Sequence, residues 1–509
     1  METLKELIRL VTQKRIKKIE LFDEQSRNKA SNYFKLFDGI HTQKYDTDDE
    51  ASSDIYQCPP SEKKYLILKT RLKQKLLNTL FFLEISPSDD ISAYDVAKFE
   101  ASKAMYFYQV LYMHQAQDIA IQAVEKVLDK AQRYKIAEIE LNAATLLREY
   151  AAKNLRNKDF GYYAQVAHLA ANKISAENTA MALFQSLDLA YQRAKTHKQE
   201  LAHQSYQALL TVQDLVEQYD SFLLQVYYYK IRTLHYQFND AFDEVIQTLK
   251  MREEFLKQND LIFTNEMKRS LELDRMSAYI HLKDTEEGEK LMQEVIQENK
   301  PTEQHWFSMQ EKNLMLYMHT GNYLKAAQGF RQVVDQPRFK TLQESSKQRW
   351  ETFQAYLNYI SKYLKIKEIK ALTQNSKIPF KLNEYLNQPF DIDKSVRGVQ
   401  ISHLAIQLMY HLERLDMAGM NQCIDTLQAF CRKYPKKDAH FRSESFINLL
   451  TLMRAEDYRY YQTTKATEKI AKELSQTPME AQNDKTLEVL PYEVMWQMIL
   501  EKLKTYRYG

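Results

Sequence analysis

The chain has 509 residues with only 8 glycines and 10 prolines, 71 basic against 68 acidic residues, and three cysteines. So few chain breakers leave little room for sheets joined by tight turns, and Leu, Lys, Gln, Glu and Ala dominate; an almost wholly α-helical protein is expected, too long for one compact core. The near-cancelling charge excludes a global nucleic-acid signature, and Cys58, Cys423 and Cys431 are too scattered for a disulfide framework or a zinc site, which suits a reducing compartment.

The chain opens on an amphipathic stretch, METLKELIRLVTQKRIKKIE, that reads as the start of one long helix over roughly residues 3–35 and lacks the apolar run and cleavage site of a signal peptide. A polar segment with Asp46, Asp48, Asp49, Glu50 and Pro59-Pro60 follows and reads as a solvated loop, its TDDE placed to cap the next helix. It lacks the glycine and distal glutamate of a calcium loop. The helix after it, SEKKYLILKTRLKQKLLNTLFFLEI, is expected to bury Leu66, Leu68, Leu72, Leu76 and Leu80. It places Lys69 and Lys73 on one face and Arg71 and Lys75 on another. With KRIKK (Lys14 to Lys18) these form a candidate basic patch for nucleic acid, anionic lipid or an acidic partner. The plainer reading is long basic side chains lying around an apolar stripe. Residues 1–90 are therefore read as an N-terminal helical module with an acidic loop.

From 91 to 372 the pattern is one of helical hairpins. Tyr317 is followed by Ala326 and Phe330 across a turn at Gly321-Asn322, with Pro337 beyond. The same offsets recur at Tyr279, Gly288 and Met292, at Tyr236, Val245 and Leu249, and at Tyr410, Gly419 and Cys423. The small residue suits a point where two antiparallel helices cross closely, with aromatics filling the space on either side. Further turns are expected near Gln117-Asp118, Lys158-Asp159, His197 and Glu456-Asp457. Tyr227, Tyr228 and Tyr229 read as core of such a repeat or, on a concave face, as protein-binding anchors.

The Tyr-x8-Ala-x3-Phe pattern, over roughly residues 100–480, resembles the tetratricopeptide-like superfamily of helical repeats. The resemblance implies a right-handed α-solenoid of antiparallel hairpins. Gln310, Asn313 and Leu314 stand where that pattern has Trp and Leu-Gly, and a turn glycine is present only at Gly321.

Residues 373–400 break the pattern with Pro379, Pro389 and Gly398, yet carry Phe380, Leu382, Tyr385, Leu386 and Phe390. This segment reads as a packed junction or a binding element whose backbone must find hydrogen bonds. Together with the N-terminal module it resembles uncharacterised helical proteins of the Bacteroidota, which implies a bacterial protein and no particular activity. Residues 401–509 read as C-terminal hairpins closed by a capping helix, PYEVMWQMILEKLKTYRYG, with Pro491 in its first turn.

No HExxH, CxxC, GxSxG, P-loop or GxGxxG motif occurs, and His403 and His411 lie too far apart on one helix to share a metal without a third ligand. No catalytic, metal or cofactor site is expected, and no run approaches the roughly 18 apolar residues of a membrane span. The lack of a catalytic constellation, with the solenoid that the resemblance implies, favours a cytoplasmic, non-enzymatic scaffold or adaptor that holds a peptide or folded partner on solenoid surfaces. One alternative is a nucleic-acid-binding or transcription-regulating protein using the basic N-terminal helix; another is a peptide-sensing regulatory subunit. The candidate partner-binding residues are Lys69, Arg71, Lys73, Lys75, Tyr227, Tyr228 and Tyr229.

Overall fold

The computed structural model describes residues 1–13, 31–82, 84–88, 90–114, 116–193, 198–298, 303–374, 378–387, 397–433, 441–479 and 487–505. Among these, 83% of the chain is helical and no strand forms; a single bridge pairs Ser88 with Ile91. No described helix is long and apolar enough to cross a membrane. The chain divides into two compact units, Met1–Ala164 and Gln165–Gly509. The break expected at 373–400 therefore lies inside the second unit.

The first unit holds α1 (Glu2–Gln13), α2 (Asn32–His41), α3 (Asp48–Tyr56), α4 (Lys63–Thr79), α5 (Ala93–Met113), α6 (Gln117–Arg133) and α7 (Ala137–Lys153), and α8 (Asn157–Arg193) begins in it. Leu4, Ile8 and Val11 of α1, Leu36 and Ile40 of α2, and Leu68, Leu72 and Leu76 of α4 meet in one apolar cluster. Each leucine buried this completely contributes about 1.5–3 kcal/mol. Three expectations are corrected here. The helix expected over 3–35 is interrupted, because Ser31 is extended and caps α2 through Phe34 N–H; KRIKK lies outside the described residues. The acidic loop contains a helix, α3, started by a capping box in which Thr47 accepts from Glu50 N–H and Glu50 reaches back to Thr47 N–H. The buried stripe of α4 is also rotated from the expected one. Tyr65, Leu68, Leu72, Leu76 and Thr79 are buried, while Leu66 is exposed and Leu80 partly buried.

The second unit continues through α9 (Lys198–Gln218), α10 (Phe222–Phe238), α11 (Phe242–Gln258), α12 (Asn265–Leu282), α13 (Thr285–Glu298), α14 (Gln304–His319) and α15 (Tyr323–Val334). It ends with α16 (Glu344–Leu364), α17 (Lys367–Gln374), α18 (Leu382–Leu386), α19 (Arg397–Arg414), α20 (Met417–Lys433), α21 (Phe441–Ala455), α22 (Tyr460–Gln476) and α23 (Tyr492–Thr505). From α9 to α17 and from α19 to α23, helices adjacent in sequence pack on one another; α14 also packs on α12, α17 on α15 and α19 on α16.

One local device recurs through both units. In nine described turns the residue just past the helix is left-handed: Gln43, Lys135, Leu155, Asp240, Lys283, Gly321, Lys365, Leu415 and Asp457. In each, the next N–H closes a bond to the carbonyl five residues back, as in Ala241 to Tyr236, Asp284 to Tyr279 and Asn322 to Tyr317, at 2.9–3.0 Å. These bonds fix the register of each hairpin. The tyrosines at 236, 279 and 317 are in register with one another, but the fourth hairpin is displaced by one: Asp416 N–H bonds to His411, not Tyr410. Met420 and Ile424, both fully buried, thus take the places read from sequence as Gly419 and Cys423. Gly419 has another reason to be glycine, since a Cβ there would strike the His411 ring. The turn expected at Lys158-Asp159 falls earlier, at residues 154–156, and His197 lies outside the described residues.

The irregular segment is held by buried amides, as its backbone requires. Gln354 Nε2 donates to the carbonyls of Thr373 and Ile378 at 3.0 and 3.1 Å, and Gln407 Nε2 to that of Tyr385 at 2.8 Å. Pro389 and Phe390 lie outside the described residues. α23 packs against α19, α21 and α22, burying Met495, Trp496, Met498, Ile499 and Leu503.

Candidate functional site

The basic helix is partly neutralised by the segment read as a loop. Lys69 Nζ lies 2.8 Å from both carboxylate oxygens of Asp48. Tyr65 Oη donates to the same carboxylate at 2.8 Å, and the N-terminal amine at 3.2 Å. Burial works against a charged Asp48, but Lys69, Tyr65 and the amine outweigh it and hold its carboxyl below the usual value. Lys75 Nζ sits 6.0 Å from the Tyr33 ring centroid. Arg71 and Lys73 are exposed. Of the four basic residues, then, two point to solvent and one is spent on an internal ion pair.

The tyrosine run of α10 is packed between helices. Tyr227 lies 5.9 Å from Phe184 of α8, Tyr229 5.8 Å from Phe255 of α11, and Arg232 donates to Tyr228 Oη at 3.5 Å. All three are partly buried, and burial pushes the Tyr227 and Tyr229 phenols up. Beside them Lys230 Nζ rests 5.1 Å from the Phe184 centroid and 5.5 Å from that of Tyr227.

A different surface, missed from sequence, is open in the first unit. Phe81, in the turn after α4, and Tyr106 and Phe107 of α5 are 47%, 48% and 50% exposed. Their rings are in contact, at 5.2 Å for Phe81 with Tyr106 and 6.1 Å for Tyr106 with Phe107. Tyr112 and Met113 extend the apolar surface of α5. The signal was in the sequence: AYDVAKFEASKAMYFYQVLYM is aromatic at 106, 107 and 108, and a helix can turn only Tyr108 to the side of Ala97 and Ala101.

In the second unit a cavity of about 330 Å³ is lined by His281, Lys283, His319, Arg442, Thr477 and Glu493 among others. Its floor is fully bonded. Arg442 donates from Nε and Nη2 to Glu488 at 3.0 and 2.6 Å, from Nη1 to the carbonyls of Leu474 and Thr477 at 3.0 and 2.6 Å, and from Nη2 to Glu493. Burial opposes its charge, yet Glu488 and Glu493 hold the guanidinium above its ordinary value. His319 donates through Nε2 to the Glu488 carbonyl, and burial pushes its imidazole down to about 4. Ser402 Oγ donates to the Leu487 carbonyl. These groups fasten residues 487–493 to α14, α19 and α21. Among the described residues no three His, Cys, Asp or Glu side chains gather as a metal site would need. Cys58 and Cys423 are free thiols, and the Cys431 side chain lies outside the described residues.

No protein-family model matches the sequence, and neither a curated protein nor a solved structure matches it.

Proposed function

We propose that the chain is a non-enzymatic interaction protein that docks a protein partner, its hairpins arranged as a tetratricopeptide-like repeat. The observation that supports this reading best is the contiguous exposed cluster of Phe81, Tyr106 and Phe107. Aromatic side chains supply large contact area at little rotamer cost, and they are enriched among residues that dominate interface energies. Repeats of hairpins suit the role because each presents surface without needing its own core. Affinity purification of the tagged chain from its native cytoplasm, nuclease-treated and read by mass spectrometry, tests the proposal. The expected result is a stoichiometric protein partner that survives the nuclease. Recovery of nucleic acid with no protein, lost on nuclease treatment, contradicts it and favours the basic helix as the binding element.

A further inference from the structure

Helix α4 has an apolar stripe on each of two sides, and only one of them is covered. Tyr65, Leu68, Leu72 and Leu76 turn into the cluster shared with α1 and α2. On the opposite side Leu66, Thr70, Lys73 and Leu77 recur at the spacing of a second helical stripe, and all four are exposed. Leu66 is 47% exposed and Leu77 38%. One turn beyond Leu77 stands Phe81, whose ring touches that of Tyr106 of α5 at 5.2 Å. A lone exposed leucine is ordinary, but Leu66, Leu77 and Phe81 lead along one helix into two further open rings.

The charge on this surface has one sign. α4 holds six basic residues and no acid. Lys69 is paired with Asp48, Lys64 donates to the Tyr56 carbonyl at 3.3 Å, and Lys75 lies against the Tyr33 ring. Arg71 and Lys73 are exposed, and neither meets a carboxylate among the described residues. Glu62 and Glu84, the nearest acids along the chain, stand at the two ends of the stripe.

We propose that this stripe, with the open rings of α5, docks an acidic amphipathic helix of a partner protein, an inference that rests on the interaction reading above and names the partner's chemistry. Leu66, Leu77 and Phe81 recur at intervals that a second helix matches along its own apolar side. Carboxylates flanking that side meet Arg71 and Lys73, and the same two cations repel a basic segment. A lipid surface fits less well. Thr70, Lys73 and Gln74 lie between Leu66 and Leu77, with Gln74 donating to Asn78 at 3.2 Å, whereas a helix lying in a bilayer interface keeps an apolar face toward the acyl chains.

The test uses the full chain and a dye-labelled, end-capped peptide of repeated Leu-Glu-Glu-Leu-Leu-Glu-Glu, read by fluorescence anisotropy. The chain binds this probe and does not bind the same peptide with Lys in place of Glu. Arg71→Glu combined with Lys73→Glu weakens binding at least about tenfold, and so does Phe81→Ser. These side chains stand in water, so both variants melt near the wild type. Lys465→Glu combined with Lys472→Glu, an equal charge change on the exposed side of α22, leaves binding unchanged. Failure of the wild type to bind the acidic probe, equal binding of the basic one, or a loss confined to one of the two variants overturns the inference. So does binding of phosphatidylserine vesicles that depends on Arg71, Lys73 and Phe81 and that the acidic probe does not displace, which assigns the surface to a membrane. A protein partner captured equally by the wild type and the charge-reversed variant overturns the acidic-helix docking while leaving the interaction reading standing. A chain that captures no protein overturns that reading instead, and the peptide result still decides whether the stripe takes an acidic helix.

Discussion

Helices α5 and α14 are built from similar residues and meet different surroundings. α5 buries Tyr94, Val96, Ala97, Ala101 and Tyr108 and leaves Tyr106, Phe107, Tyr112 and Met113 in water. α14 buries residues all round its axis, from His305 and Trp306 through Asn313 to Tyr317 and His319. Both of its end histidines are drawn into bonds: His305 contacts Glu272 of α12 at 2.7 Å, and His319 fastens the chain near Glu488. An aromatic helix is thus a core element or an open apolar surface according to how many neighbours cover it, and its own sequence does not decide which. Apolar surface left open after folding is available for a partner; a helix enclosed on every side can only stabilise.

The comparison breaks most severely at the network that encloses α14. Arg442→Met leaves buried Glu488 without its main partner, and loss of one member of a buried pair costs about 3–5 kcal/mol. Chemical denaturation should register that loss; a change below about 1 kcal/mol would mean the network is not what encloses α14.

Acid should act next, on the enclosed side. His319 is held near 4 by burial, below its ordinary 6.5. An unfolded chain therefore takes up the proton first, so stability is full above about pH 6.5 and declines as pH falls toward 4, by up to about 3 kcal/mol. His403, pushed down to about 3 by burial, works in the same direction. His319→Gln keeps a donor for the Glu488 carbonyl and should flatten this decline in a series of melts between pH 7 and 4.

Smaller again is the effect of crowding the hairpin crossing. Ala326 is fully buried where α14 meets α15, and Ala326→Trp should cost about 1–3 kcal/mol by overpacking. An unchanged midpoint would place that crossing elsewhere. The basic helix sits at the low end. Changing Arg71 and Lys73 to Gln removes exposed charge and should move stability by less than about 0.5 kcal/mol each, whereas Lys69→Gln strands Asp48 and should cost more, a difference that thermal melts of the single variants resolve.

Much of the fold was legible because helix formation here is a matter of composition and period. Three of the four tyrosine-led hairpins appear in the register the spacing implies, and the fourth is off by one because His411, not a tyrosine, occupies the position that closes the turn. The turns themselves were hard to read. Eight of the nine left-handed residues at these turns, among them Lys135, Leu155, Lys283 and Leu415, are not glycine, so the usual mark of a helix C-terminus is missing. Helix α3 was hidden for the same kind of reason: its acidic residues look solvated until Asp48 is found against Lys69 and Tyr65. The site was less legible than the fold. Spacing shows that Tyr106, Phe107 and Tyr108 cannot share a face, but which face is covered depends on the neighbouring helix.

The central claim, that the open aromatic face of α5 docks a partner, is tested most directly by one variant carrying Phe81→Ser, Tyr106→Ser and Phe107→Ser, compared with the wild type in quantitative affinity purification. Each side chain already stands half in water, so the variant should melt within a few degrees of the wild type and lose the partner. Recovery of the same partner in the same amount by a folded variant would contradict the account.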